Sequence, residues 1–276
     1  MAPTMVIVPG SFGRSELYDP VVLPLRAKGY TIHALDPPCY PSSYKEGAPP
    51  PNMYDDAKFV HDFVEALADK GEEVVLFAHS YGGIPASQSL QGVTKTERAA
   101  QGKRGGVIHA AYLTAMVPKV GENLATSIKG GAPPMEVGED GWLRQPSHQD
   151  TAALCFNSLS PEKGTELAKL LTKHSAQSFM DPLTYPGHKD VSVSWFFCED
   201  DKCVSPEVQQ TAIDTIEESW KGTEREGKKV EVTREKCDHI PIYSARDALE
   251  KWAEGLFAKV TLLEHKMSES SNIRPW

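Results

Sequence analysis

Apolar and polar positions along the chain follow two periods in turn. Short runs rich in Val, Ile and aromatic residues predict strands at 4–10 (TMVIVPG), 30–36 (YTIHALD), 73–79 (EVVLFAH), 106–115 (GVIHAAYLTA), 191–198 (VSVSWFFC) and 228–236 (KKVEVTREK). Stretches of helical period lie between them. Residues 15–29 open on Ser15 as a capping residue and end at Gly29, and residues 52–71 set Phe59, Phe63, Val64 and Leu67 at helical spacing. Further helices are expected after Ser80, over 206–220 and from 245 to 260. Strands and helices alternating in this way imply βαβ units, and therefore an α/β fold with a mostly parallel, doubly wound sheet.

The rhythm breaks between Pro118 and Asp190. This stretch has Gly/Pro clusters, little strand signal and one clear helix over 160–174, with Ser160 as its N-cap and Pro161 at the first helical position. It is far too long for a loop between two strands. The expectation is a mostly helical cap over 118–190, lying on the carboxyl edge of the sheet, where open α/β folds bind ligands. Core segments at 1–117 and 191–262 flank it, and a polar tail occupies 263–276.

Composition narrows the partners more than the chemistry. A chain of 276 residues with 40% hydrophobic and 24% charged side chains has room for one large core. Its 38 acidic against 29 basic side chains give a net charge of −9, which repels phosphate backbones and anionic membrane faces. The expected partner is a small-molecule substrate, with neither nucleic acid nor membrane, and a homodimer is left open. Cys39, Cys155, Cys198, Cys203 and Cys237 are scattered without metal-ligand spacing, which points to reduced thiols and away from zinc. No cofactor is expected. The first residues run directly into MVIVPG without a signal-peptide pattern, and no apolar run reaches the roughly 20 residues of a membrane span. The expected location is cytoplasmic.

The candidate chemistry starts at LFAHSYGGIPA, residues 76–86. A strand ending in a Ser between small residues, followed by a helix, is the context of a nucleophile elbow, with Ala78 and Gly82 as the small flanks. The plainer alternative is that Ser80 caps the helix after it. A serine hydroxyl needs a base and a group that orients the base. Downstream, WFFCEDDKCVSPE ends a strand with Glu199, Asp200 and Asp201, and CDHIPIYS places His239 in a loop. Asp201 is the preferred acid and Asp200 the fallback. His79 and His109 are expected to pack, and Asp238 to stabilise its loop.

These residues resemble the α/β-hydrolase superfamily and, within it, the plant methylesterase and hydroxynitrile lyase-like group. The likeness runs from VPGSF through AHSYGG, SPEKGTELAKLLTKHSAQSF and FFCEDDKCVSPEVQ to CDHIPIYS, most of the chain. It implies Asp201 as the acid of a C-x-x-D-K pattern, and an oxyanion hole made by the backbone N–H groups of Ser11 and Tyr81. Pro9 stands where the group has His. Its lyases resemble one another in a Lys after the His and a Thr near the oxyanion loop, where this chain has Ile240 and Gly10, so cyanohydrin cleavage is disfavoured.

Three readings follow. The leading one is hydrolysis of a carboxylic ester, thioester or lactone by Ser80, Asp201 and His239 through an acyl-serine. The second uses the same groups as acid and base for carbon–carbon cleavage, elimination or cyclisation. The third is a non-catalytic ligand receptor. Candidate substrate-binding residues are Phe12, Ile240 and, from the cap, Trp142, Phe156, Leu159, Phe179 and Met180, with Leu170 also considered; two of the six cap side chains are expected to face ligand.

Overall fold

The computed structural model describes residues 2–41, 48–128 and 134–271, with side chains up to residue 259. Its strands are β1 (Thr4–Val8), β2 (Ile32–Ala34), β3 (Glu73–His79), β4 (Gly106–Leu113), β5 (Glu136–Val137), β6 (Trp142–Arg144), β7 (His174–Ser175), β8 (Ser192–Cys198) and β9 (Glu231–Glu235). The helices are α1 (Asp19–Ala27), α2 (Met53–Asp69), α3 (Gly83–Ser89), α4 (Lys95–Ala100), α5 (Leu124–Ser127), α6 (His148–Cys155), α7 (Pro161–Ala168), α8 (Pro206–Ser219), α9 (Pro241–Ser244) and α10 (Arg246–Ser271).

All six strands expected from the sequence pair in parallel, in the order β2-β1-β3-β4-β8-β9. Successive side chains of a strand point to opposite faces, and for β1, β3, β4 and β8 both faces are covered, so these inner strands read as nearly continuous apolar runs, while the edge strand β9 is largely exposed. Met5, Ile7, Val75, Phe77 and Phe196 face one core with Val22 and Leu25 of α1 and Trp252, Leu256 and Phe257 of α10. Val6, Val8, Val74, Leu76 and Trp195 face the other with Val60 and Val64 of α2 and Ile213 and Ile216 of α8. The order reverses between β1 and β3, which puts the loops after these two strands side by side at the carboxyl edge.

Helix boundaries depart from the sequence in places. Ser15 does not cap: its hydroxyl donates to Asp36 at 2.7 Å, and residues 15–18 form a 3-10 turn ahead of α1. On α2, Phe59 lies at the solvent side at 38% exposure. The last helix runs on to Ser271 and so overlaps the expected polar tail, of which residues 272–276 lie outside the described residues.

The segment between β4 and β8 is less helical than expected. Besides α5, α6 and α7 it holds an antiparallel sheet in the order β5-β6-β7. The helix capped by Ser160 ends at Ala168, and His174 lies in β7. Strands of two or three residues carry no readable alternation, which is why the sequence hid them. Buried bonds tie the segment to the core: Thr172 N–H to Phe12 C=O (2.8 Å), Ser175 N–H to Cys39 C=O (3.1 Å) and Met53 N–H to Asp181 Oδ2 (2.9 Å). Among the described residues no helix is long and apolar enough to cross a membrane.

Candidate active site

Ser80 follows the last residue of β3 and sits at φ 51°, a left-handed conformation that costs a non-glycine residue of order 1–3 kcal/mol. The turn is held because its neighbours leave no alternative. A Cβ at Gly82 would lie 2.5 Å from the carbonyl oxygens of both Val8 and Pro9, and one at Gly83 would lie 2.4 Å from Met116 O. Only glycine allows the elbow to press against β1 and against the loop after β4. The main chain is fastened there by Met116 N–H donating to Ser80 C=O at 2.9 Å.

The hydroxyl is not a helix cap. α3 begins with Gly82 at its N-cap position and takes no side-chain cap, while Ser80 Oγ lies 2.9 Å from His239 Nε2. His239 Nδ1 lies 2.7 Å from Asp201 Oδ2. A carboxylate only accepts, so the imidazole carries its proton on Nδ1 and leaves Nε2 free to accept from the serine. Asp201 is fully engaged: Oδ1 accepts from Cys203 N–H (2.7 Å) and Val204 N–H (2.8 Å), and Oδ2 also accepts from the Thr114 hydroxyl (2.6 Å). Thr114 holds φ 34° just past β4 to reach it. Burial opposes the imidazolium of His239, but the Asp201 carboxylate beside it prevails and raises its proton affinity above the ordinary value.

The three side chains singled out from sequence therefore meet at one point. Glu199 and Asp200 are exposed, which removes the fallback acid. Asp238 supports its loop, as expected, by accepting from Ile240 N–H (3.1 Å), Ser244 Oγ (2.6 Å) and Ser158 N–H (3.0 Å). His109 pairs with Ser194 between β4 and β8 at 2.9 Å.

A cavity opens over Ser80. Gly10, Ser11, Phe12, Leu17, His79, Ser80, His239 and Ile240 form its floor and sides, and Leu124, Ile128, Met135, Gln145, Leu171 and Phe179 of the inserted segment form its roof. Ser11 and the elbow adjoin there, with the Gly10 backbone so close that a Cβ on it would meet Ser80 Cβ at 3.0 Å. Of the expected substrate-binding residues, Phe12, Phe179 and Ile240 line this space. The others do not. Trp142 is fully buried where β6 meets β7, Phe156 is buried in the core between α6 and α7, and Leu159 packs on that core. Met180 and Leu170 point outward at 57% and 54% exposure. One cap side chain of the six, not two, faces the cavity. Thr114, Tyr18 and the roof residues other than Phe179 were not singled out from sequence; a Thr ending an apolar strand was the one available signal. Among the described residues no three His, Cys, Asp or Glu side chains are grouped as a metal ion requires.

The chain matches known proteins over most of its length. Residues 5–252 match the profile of the alpha/beta hydrolase family. The chain is 34% identical over 249 residues to a probable hydrolase, R7, of Phoma sp. (strain ATCC 20986 / MF5453), covering 90% of this chain and 95% of that one. In solved structures it is similar to methylesterase MES16 from Arabidopsis (TM-score 0.68, 16% identity, 94% of this chain and 99% of that one). It is equally similar to tomato methylketone synthase I complexed with 2-tridecanone (TM-score 0.69, 16% identity, 94% and 99%). At that identity the likeness speaks to the fold alone.

Proposed function

The chain belongs to the alpha/beta hydrolase family, and from that premise we propose that it is a serine esterase acting on a carboxylic ester, thioester or lactone of a small, largely apolar metabolite. What carries this reading is the 2.9 Å contact between Ser80 Oγ and His239 Nε2 at the floor of an apolar cavity. Ser80 Oγ attacks the carbonyl carbon while its proton passes to His239 Nε2, and Asp201 stabilises the imidazolium that forms. The backbone N–H groups of Ser11 and Tyr81 receive the oxyanion, a contribution of about 3–4 kcal/mol per donor. As the oxyanion collapses back to a carbonyl, the bond from that carbon to the substrate's leaving-group oxygen, or sulfur in a thioester, breaks, and the alcohol or thiol leaves with the proton from His239. Water, deprotonated by the same imidazole, attacks the acyl-serine and releases the acid.

Two features weigh against the same groups serving as an acid/base pair for cyanohydrin cleavage: the cavity residue after His239 is Ile240, whose side chain has no ionisable group, and Gly10 has no side chain to offer. The test is pre-steady-state kinetics with short-chain aryl esters. The proposal expects a burst of one phenol per active site in the wild type and none in Ser80→Ala. Turnover of a metabolite without a burst supports lyase or cyclase chemistry instead, and binding without turnover supports a receptor.

A further inference from the structure

Beside the catalytic groups runs a second chain of hydrogen bonds that the mechanism does not use. Gly10 N–H donates to Tyr18 Oη at 2.9 Å, Tyr18 Oη lies 2.8 Å from His79 Nδ1, and His79 Nε2 lies 2.9 Å from the His239 carbonyl oxygen. The proton positions follow from the partners. A carbonyl oxygen only accepts, so His79 carries its proton on Nε2; Nδ1 is then an acceptor, and the Tyr18 hydroxyl donates to it while accepting from Gly10. Both side chains are 2% exposed, and each is satisfied by this single arrangement.

The ends of the chain give it meaning. Gly10 immediately precedes Ser11, whose N–H is assigned to the oxyanion, and the far end is the main chain of His239 itself. The middle, His79, is the neighbour of Ser80. Gly10 is also clamped from the other side, because the Tyr40 hydroxyl donates to the carbonyl oxygens of Pro9 and Gly10 at 3.1 and 3.0 Å. Three loops that owe their positions to different strands, β1, β3 and β9, are thereby fixed to one another across the reacting atoms. Burial keeps the link intact by lowering the His79 pKa to about 3, so the imidazole remains neutral and does not repel the His239 imidazolium.

We propose that Tyr18 and His79 are positioning residues that set the distance between the oxyanion loop and the general base. This rests on the serine-esterase reading above. Displacement of about 1 Å between such groups lowers turnover by up to about 100-fold, while the apolar roof that binds substrate is untouched. A loss in kcat with constant KM is therefore the expected signature.

The experiment compares the wild-type protein with Tyr18→Phe, His79→Leu and His79→Gln, reading kcat, KM, melting temperature and the extent of Ser80 labelling by a fluorophosphonate. Tyr18→Phe removes one hydroxyl and keeps the ring. A glutamine amide presents an acceptor and a donor at nearly the imidazole separation, so it can restore both bonds. Expected are kcat values lowered about 10-fold in Tyr18→Phe and about 100-fold in His79→Leu, KM within about twofold, and substantial recovery in His79→Gln. All three variants should still label at Ser80. Unchanged kcat in Tyr18→Phe and His79→Leu overturns the proposal. So does a loss that tracks melting temperature with His79→Gln no better than His79→Leu, since that assigns a purely structural role. A wild type that neither labels nor turns over esters refutes the esterase reading itself, a result distinct from either.

Discussion

The cavity has a floor and a roof, and each encloses a buried histidine treated in the opposite way. On the floor, His239 has a partner at each nitrogen, and its proton affinity is raised by Asp201. Beneath the roof, His174 of β7 is fully buried among the rings of Phe12, Tyr40, Tyr81 and Phe179, with no hydrogen-bond partner at either nitrogen among the described residues. Burial alone lowers its pKa to about 3. The floor spends main-chain strain, at Ser80 and Thr114, to aim polar atoms, whereas the roof is assembled from short elements and apolar side chains. On the esterase proposal, geometry is demanded where protons would move and only shape where a substrate would be enclosed.

Substitutions on the two sides should differ accordingly. The largest effect is expected for Asp201→Asn, which cannot hold His239 in the tautomer that accepts the serine proton; kcat should fall by about 10⁴-fold with little change in KM. Steady-state kinetics decide this, and a KM effect of that size would place Asp201 in binding instead. Next is Gly82→Ala. The added Cβ meets two backbone carbonyls that cannot turn aside, so denaturant unfolding should show a loss of about 2 kcal/mol together with lost turnover.

On the roof the changes are smaller. Phe179→Ala should raise KM about tenfold and leave kcat nearly constant, because the lost contact binds substrate and transition state alike. A kcat effect without a KM effect would erase the distinction between floor and roof.

The smallest effect concerns His174, and it has a sign. With a folded pKa near 3 and an ordinary unfolded value of about 6.5, the unfolded chain takes up a proton that the fold refuses as pH falls below 6.5. Stability is therefore fully present above that value and declines toward acid. His174→Phe should raise the unfolding free energy by about 1 kcal/mol at neutral pH, by removing unpaired polar atoms, and should flatten the decline between pH 6 and 4 by one proton. A steeper acid decline in the variant would show that the imidazole has a partner the structure does not reveal.

The same contrast explains what could be read from the sequence. The inner strands β1, β3, β4 and β8 were legible because each buries both faces and appears as an apolar run, whereas the edge strand β9 is largely exposed and showed itself only by its β-branched residues Val232 and Thr233. Ser80, Asp201 and His239 were legible because an elbow needs small neighbours at fixed positions and because the acid and base follow strand ends in a set order. Asp201 was preferred to Asp200 at the strand end and the resemblance added its C-x-x-D-K pattern, but the physical reason lies in contacts with Thr114, Cys203 and Val204 that no spacing encodes. Tyr18 was hidden likewise, since its partner is 61 residues away. In the roof, two-residue strands gave no period, and apolar residues such as Trp142 and Phe156 could have turned toward either the cavity or the core. Both turned to the core because rings of that size fill the space between short elements.

The account turns on whether the hydroxyl of Ser80 is a nucleophile, and covalent trapping asks this most directly. The full chain is treated with a fluorophosphonate, digested, and the modified residue located by mass spectrometry. One adduct per chain on Ser80, absent in Ser80→Ala and formed far more slowly in Asp201→Asn, is the predicted result. No adduct on Ser80, or undiminished labelling of the Ser80→Ala protein, would contradict it.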